Sequence, residues 1–205
     1  MVDFIHWLGH ASFKLTGQKI IYIDPVKISS DEKADIIIVS HSHFDHFSLE
    51  DISKITTRET NILITPDSQS KIKDISGKVV LIEPNKKYNV KGILIETFPA
   101  YNTNKKFHPK ENDWIGFILN FNGKRILYTG DTDITNELQN VKVDIALVPV
   151  SGVYVMNAKE AAELVNKIKP QLAIPYHYGS IVGTEQDALQ FKKLANIPVE
   201  ILKKE

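Results

Sequence analysis

The stretch SHSHFDHFS, residues 40–48, directly follows the apolar run ADIIIV and contains three of the seven histidines of the chain. His41 and His43 are two residues apart, so in an extended chain leaving a strand their imidazoles project to the same side and can bind one metal ion. Asp45 and His46 follow where the chain turns toward a helix, and they can bind a second ion beside the first. The stretch therefore predicts a metal site. The alternative is an exposed polar turn whose histidines cap a helix or bind backbone groups.

The composition limits the kinds of protein that can carry such a cluster. The chain has 205 residues, of which 42% are hydrophobic, and this predicts one globular domain over residues 1–205. Basic and acidic residues number 25 each, so no global field favours nucleic acid or anionic membranes. The sequence has no cysteine, which excludes disulfides and thiolate metal sites. It also has neither a leader pattern nor an apolar run of membrane-spanning length, and we expect a soluble, cytoplasmic protein.

Short runs rich in β-branched residues alternate with turn residues along the chain. Nine of them predict strands: KIIYID, ADIIIVS, NILITP, KVVLIEP, GILIETFPA, WIGFILNF, KRILYTGD, VDIALVPVS and LAIPYH. Helices are predicted to begin at Ser48, Asn157 and Thr184, each with an acidic residue three positions further on. Residues 101–114 form the longest stretch without strand or helix character, and a loop of that length in a compact domain is more often functional than idle.

Two parts of the chain are similar to each other. GQKIIYIDP followed by ADIIIVSHSH resembles NGKRILYTGD followed by VDIALVPVSG. In each pair a turn containing glycine leads to a strand that ends near an aspartate, and a second apolar strand then opens into polar residues. The similarity predicts two similar β/α halves, although short strand-rich segments also resemble one another by chance.

The pattern His-x-His-x-Asp-His resembles the signature of the metallo-β-lactamase superfamily. YTGDTD, with Asp131, and IPYHYGS, with His177, follow in that family's order, and the resemblance extends from WLGHASF to HYGSIVGT. It implies an α/β fold, a four-layer αββα sandwich with two similar β/α halves. The segment GHASF most resembles the small metal-dependent hydrolases related to ascorbate-6-phosphate lactonases and N-acyl-phosphatidylethanolamine phospholipase D.

The resemblance also implies a set of ligands for one or two divalent metal ions. His41 and His43 would bind metal 1, and Asp45, His46 and His177 would bind metal 2. Asp131 would bridge the two ions. Histidine and carboxylate ligands suit zinc, and also manganese, iron or cobalt, so the ligand set does not fix the metal; we expect zinc, with manganese or iron as alternatives. Taken by itself, Asp131 is typical of a Gly-Asp turn and His177 of a buried core histidine.

The sequence departs from the family at the third ligand of metal 1. That ligand is usually a histidine at a strand end, where TFPAYN here offers Ala100, Tyr101 and Asn102. His108, in the following loop, is the candidate to fill the gap, either as a ligand or as a hydrogen-bond donor to the substrate. The alternative is a surface histidine on a loop rich in lysine.

Other residues near these motifs are candidates for the pocket. His10, after Gly9, is predicted to support a metal ligand through a hydrogen bond, with a simple turn residue as the alternative. Tyr101 is a candidate pocket wall or hydrogen-bond donor to an oxyanion. The lysines around His108 are candidates to hold a substrate phosphate, or are simply solvated: Lys105, Lys106 and Lys110.

The function implied by the resemblance is hydrolysis. Two metal ions would lower the pKa of a bound water toward neutrality and so supply a metal-bound hydroxide, which Asp45 would orient while His108 assists the oxyanion or leaving group. We expect cleavage of an ester, lactone or phosphodiester bond in a small molecule, phosphorylated or not. The alternatives are a metal-binding or iron redox module on the same fold and a nucleic-acid phosphodiesterase, although the neutral charge gives no clear nucleic-acid or membrane signal. A homo-oligomer is compatible with the sequence.

Overall fold

The structure, a computed structural model, describes residues 2–205. The chain divides into two compact units: unit 1 comprises Met1–Glu83 with Lys203–Glu205, and unit 2 comprises Pro84–Leu202. Each unit contains one six-stranded sheet with antiparallel and parallel strand pairs.

The sheet of unit 1 keeps its strands in chain order. Its elements are β1 Ile5–Gly9, β2 Ser12–Leu15, β3 Ile21–Ile23, β4 Ile36–Ile38, α1 Leu49–Ile55, β5 Asn61–Ile64 and β6 Lys78–Leu81. Strands β1 to β3 pair antiparallel and β3 to β6 pair parallel. Strands β3 and β4 are buried along their whole length, as their continuous apolar runs predict. Ile52 and Ile55 of α1 belong to the same buried cluster as Ile37 of β4.

The sheet of unit 2 has the order β12-β11-β10-β9-β8-β7. Its elements are β7 Lys87–Val90, β8 Ile93–Pro99, β9 Ile115–Phe121, β10 Lys124–Tyr128, β11 Ile145–Pro149, α2 Ala158–Ile168, β12 Leu172–Tyr176 and α3 Glu185–Leu194. Strands β7 to β10 pair antiparallel, and β10 to β12 pair parallel.

The three predicted helices begin where expected. Asn157 and Glu160 form a complete capping box at α2, and the Asp187 carboxylate accepts the backbone N–H of Thr184 at α3 (2.7 Å). At α1 only half of the box forms, because Ser48 Oγ accepts the N–H of Asp51 (3.2 Å) while the Asp51 carboxylate accepts the N–H of Lys27 (2.8 Å).

The predicted internal repeat is present in the structure as a shared local arrangement. In unit 1 the Asp35 carboxylate accepts the N–H of Ile20 (3.1 Å), and the N–H of Asp35 donates to the Ile20 carbonyl (2.8 Å). In unit 2 Asp144 makes the same two hydrogen bonds with Arg125, at 2.8 and 2.9 Å. Each aspartate therefore joins the starts of two parallel strands, β3 with β4 and β10 with β11.

All nine predicted strands are found, as β3 to β6 and β8 to β12. The strands that the sequence did not predict are β1, β2 and β7, whose residues IHWLG, SFKL and KYNV mix apolar with charged or polar types. None of the helices formed by residues 2–205 is both long enough and apolar enough to cross a membrane.

Candidate metal centre

The segment that follows β4 carries the predicted ligands of unit 1. His41, Asp45 and His46 are buried, and His43 is half-buried. The N–H groups of His46 and Phe47 both donate to the His43 carbonyl, at 3.0 and 2.9 Å. This tight turn brings the second pair of ligands back beside the first within a few residues.

Asp24, at the end of β3, is a fully buried carboxylate that organises this segment. Its Oδ1 accepts the backbone N–H of Ser40 (2.7 Å), and its Oδ2 accepts Ser40 Oγ (2.7 Å) and His46 Nδ1 (2.7 Å). Because the hydroxyl proton of Ser40 goes to Asp24, Ser40 Oγ acts as the acceptor for His41 Nδ1 (2.9 Å). His41 and His46 therefore carry their protons on Nδ1 and present the lone pair of Nε2, which is the form that binds a metal.

The ring nitrogens of His41 and His43 meet at a distance typical of two ligands on one ion. His41 Nε2 lies 3.1 Å from His43 Nδ1. Two nitrogens bound tetrahedrally at the usual zinc distance are about 3.4 Å apart. Both nitrogens are thus close enough to reach one ion, and their shared coordination of metal 1 remains a prediction.

His10 holds the carboxylate of Asp45. His10 Nε2 lies 3.0 Å from Asp45 Oδ2, and that oxygen lies 3.7 Å from His46 Nε2. The backbone of His10 is left-handed (φ +50°), and its carbonyl accepts Trp7 Nε1 (3.0 Å). These contacts fit the predicted role of His10 as the support of a ligand.

Asp131, which follows β10 in unit 2, lies between two histidine nitrogens. Its Oδ2 is 3.1 Å from His177 Nε2 and 3.4 Å from His108 Nε2, again the spacing of atoms that share an ion. Gly130 sets this position with φ +68°, and a Cβ there would lie 2.5 Å from the carbonyl oxygen of Ile115. Only glycine fits, so the YTGD turn fixes Asp131 at the end of its strand.

His177 follows β12 directly and is fully buried. Its backbone is left-handed (φ +63°), so the chain leaves the strand sharply at the residue that carries the predicted ligand. Ser151 Oγ, just beyond β11, lies 3.1 Å from His177 Nδ1. This contact sets the direction of the ring and points Nε2 at Asp131.

His108 is 1% exposed, so the alternative of a surface histidine is wrong. Asn102 Oδ1 accepts its backbone N–H (3.0 Å), and the N–H of Asn102 donates to the His108 carbonyl (2.8 Å). His108 Nδ1 lies 3.2 Å from both Asn102 Oδ1 and the Tyr154 carbonyl. Since both partners accept hydrogen bonds, the proton of neutral His108 belongs on Nδ1 and its Nε2 presents a lone pair toward Asp131.

The structure places the Tyr101 hydroxyl on a surface ion pair. It donates to Glu137 Oε2 (3.2 Å), and Lys110 Nζ lies 3.3 Å from Glu137 Oε1 and 4.5 Å from the centre of the Tyr101 ring. Lys105 pairs with the buried carboxylate of Asp133. Two of the three lysines considered for a substrate phosphate thus have carboxylate partners.

Several of the supporting residues were missed in the sequence. Asp24 had a signal, because it occupies the strand-end aspartate position of the internal repeat that Asp131 occupies in the second half. Ser40, Asn102 and Ser151 had none. The contacts of Ser40 with Asp24 and of Ser151 with His177 join segments that are distant in sequence, and Asn102 contacts His108 through the fold of a single loop.

Asp24→Asn is expected to weaken metal binding by about 10- to 100-fold. If an NH₂ group takes the place of Oδ2, it cannot accept the hydrogen bonds that Ser40 Oγ and His46 Nδ1 donate to that oxygen. Its free energy of unfolding should also fall, by about 1–3 kcal/mol. Metal titration against a competing chelator and urea unfolding measure the two effects. Asp35→Asn is the matched control, since its carboxylate bonds the Ile20 N–H, and it should lose stability only. Equal metal affinities in the two variants would contradict the role of Asp24.

Comparison with known proteins identifies the class to which this fold and site belong. The family model of the beta-lactamase superfamily domain matches residues 4–177. A crystal structure from Parabacteroides distasonis superposes with a TM-score of 0.85 at 31% identity, covering 97% of this chain and 93% of that one. The predicted α/β fold of the metallo-β-lactamase type is therefore confirmed.

Relatives in two archaea define the branch. A UPF0173 metal-dependent hydrolase of Thermoplasma acidophilum is 32% identical over 93% of this chain and 90% of its own length. One from Thermococcus kodakarensis is 30% identical over 97% of this chain and 94% of its own length. The chain belongs to the UPF0173 metal-dependent hydrolases of the beta-lactamase superfamily, which confirms the predicted superfamily, branch and enzyme class.

Proposed function

We propose that the chain hydrolyses an ester, lactone or phosphodiester bond of a small molecule with the help of one or two divalent ions. The proposed ligands are His41, His43, Asp45, His46, Asp131 and His177. One observation carries the proposal: the Nδ1 atoms of His41, His46 and His108 all face hydrogen-bond acceptors, so three buried rings are held in the tautomer that binds metal through Nε2. The relatives are named metal-dependent hydrolases, which supports metal-dependent hydrolysis.

His108 is proposed as the missing third ligand of metal 1. In its neutral form the ring keeps its only proton on Nδ1, facing Asn102 Oδ1 and the Tyr154 carbonyl, so Nε2 has no proton to give to a substrate. A ligand needs the lone pair that this arrangement provides. Of the two roles left open by the sequence, the contacts of His108 favour the ligand.

Zinc is the proposed metal, with manganese or iron as alternatives. The donors are neutral imidazoles and carboxylates, a set that these metals share. A bound divalent ion lowers the pKa of water toward neutrality and stabilises negative charge on a substrate oxygen.

Hydrolysis requires that the oxygen of water bonds to the carbonyl carbon or phosphorus, that the bond to the leaving oxygen breaks, and that one water proton ends on that oxygen. In the proposed reaction Asp45 accepts a hydrogen bond from the attacking water and orients it. The contact of His10 Nε2 with Asp45 Oδ2 keeps the carboxylate in one direction, which matters because a misdirected nucleophile loses most of its rate.

The sequence-based predictions of one domain over residues 1–205, a cytoplasmic location and a homo-oligomer remain predictions. The same holds for a phosphorylated substrate and for Tyr101 as a wall of the pocket.

Metal removal tests the proposed activity directly. Dialysis against a chelator is expected to abolish hydrolysis of an aryl ester, a lactone or bis-p-nitrophenyl phosphate, and Zn²⁺ or Mn²⁺ should restore it. Elemental analysis of the purified protein gives the metal and its stoichiometry. Hydrolysis that survives metal removal would contradict the proposal, as would bound iron with oxygen consumption and no hydrolysis.

A further inference from the structure

Apolar side chains are exposed on the segments of unit 2 that hold the proposed ligands. Phe107 is 51% exposed, Val153 47% and Ile181 36%, and the Phe107 ring packs edge-on against Tyr154 with centroids 4.7 Å apart. We call Phe107, Val153, Tyr154 and Ile181 the apolar rim. Large apolar side chains that are exposed close together commonly mark a binding surface.

The apolar rim includes, or lies close in sequence to, residues whose polar atoms contact the rings of His108 and His177. Phe107 immediately precedes His108, and the carbonyl of Tyr154 lies 3.2 Å from His108 Nδ1. Val153 is two residues beyond Ser151, whose hydroxyl lies 3.1 Å from His177 Nδ1. The rim therefore lies on the same loops that set the direction of the two rings toward Asp131.

The turn that carries Ile181 belongs to the same group of loops. Gly179 donates its N–H to the carbonyl of Gly183 (3.3 Å), which closes the turn. A Cβ on Gly183 would lie 2.7 Å from Cβ of Ser151. The turn is thus packed against the residue that supports His177.

Two of the three lysines beside the rim, Lys105 and Lys110, are already paired with carboxylates. The Lys105 ammonium pairs with Asp133, which also accepts the N–H groups of Thr103 (2.8 Å) and Asn104 (3.3 Å). Lys110 pairs with Glu137 (3.3 Å). A substrate phosphate would have to displace a carboxylate from either lysine, whereas a hydrocarbon group would cover apolar surface that is exposed to water.

We propose that the apolar rim binds the hydrocarbon part, an acyl chain or an aryl ring, of an uncharged ester or lactone. This inference rests on the proposed function and narrows its substrate class. Full burial of one methylene strengthens binding about fourfold. Because the rim leaves a bound chain about half exposed, each methylene added to the substrate should strengthen its binding about twofold.

The test compares p-nitrophenyl acetate, butyrate and hexanoate on the metal-loaded protein. From acetate to hexanoate, four methylenes should raise kcat/KM by about 16-fold. Phe107→Ala should reduce the hexanoate-to-acetate ratio by about fivefold, and Phe107→Leu should restore most of it. Leu189→Ala is the matched control, because Leu189 is similarly exposed (44%) but lies on α3, and its ratio should equal that of the wild type.

A binding measurement separates failure of this inference from failure of the proposed function. Calorimetry with 4-phenylbutyrate should show binding that Phe107→Ala weakens about fivefold. Acetate and inorganic phosphate serve as comparison ligands, because neither carries a long hydrocarbon group. If 4-phenylbutyrate binds in this way but no ester, lactone or phosphodiester is hydrolysed, the rim is supported and the proposed function is wrong. If esters are hydrolysed with no dependence on chain length or Phe107, the rim is wrong and the function stands.

A second copy of the chain is the competing occupant of the rim. Light scattering on the wild type and on Phe107→Ala decides this: a dimer that becomes a monomer in the variant, with an unchanged ester ratio, overturns the proposal. A mass that does not depend on Phe107, together with the expected ratio, supports it.

Discussion

Asp131→Ala is expected to lose metal and hydrolytic activity together. Its Oδ2 is the atom that both His108 Nε2 and His177 Nε2 approach, at 3.4 and 3.1 Å, and the family resemblance implies that this carboxylate would bind both ions. Removal of the carboxylate should weaken metal binding by more than about 100-fold, beyond the usual loss from removing a supporting residue. Metal titration and kcat/KM for an aryl ester measure the two losses.

The first control for Asp131 is Asp144, the residue that corresponds to Asp35 in the internal repeat. Asp144, directly before β11, accepts the N–H of Arg125 in β10 through a carboxylate oxygen that Asp144→Asn removes, so this variant should lower stability while metal and activity persist. Asp131→Asn retains the shape of the side chain without its charge, and it should resemble Asp131→Ala in metal content. Two equivalents of metal retained by Asp131→Ala would refute the bridging role.

The strands predicted from sequence were those that carry their own signal. Continuous apolar runs such as β4 and β11 are buried along their whole length between parallel neighbours, so their sequence alone indicates the strand. Strands β1, β2 and β7 contain histidine, lysine or asparagine, and they are strands because a neighbour pairs with them. Pairing is a tertiary property that short-range patterns do not encode.

The same division applies to the candidate site. The spacing His-x-His-x-Asp-His predicts metal ligands because the chemistry needs several donors within a few residues. The orientation of those donors depends on partners distant in sequence: Asp24 lies 22 residues before His46, and the Tyr154 carbonyl lies 46 residues after His108. The sequence therefore predicts the ligands better than the contacts that determine their tautomers.

His108→Ala is expected to remove one metal equivalent and to reduce kcat/KM by more than about 100-fold, since a catalytic ion with only two protein ligands lacks the usual three. The strand end at TFPAYN has no histidine, and the loop supplies one six residues beyond Asn102 instead. The paired backbone hydrogen bonds between Asn102 and His108 close this part of the loop. The loop is thus built to return His108 to the end of the sheet.

Asn102→Ala tests the same idea without removing the ligand. The substitution removes the side-chain oxygen that lies 3.2 Å from His108 Nδ1 and accepts the backbone N–H of His108. The affinity for one ion should therefore fall about 10-fold, and excess metal should restore turnover. His6→Ala is the matched histidine control, because the His6 ring contacts Glu205 and Thr16, and it should retain full metal content. Intact metal with lower turnover in His108→Ala would make His108 a donor to the substrate instead, and unchanged metal and turnover would exclude both roles.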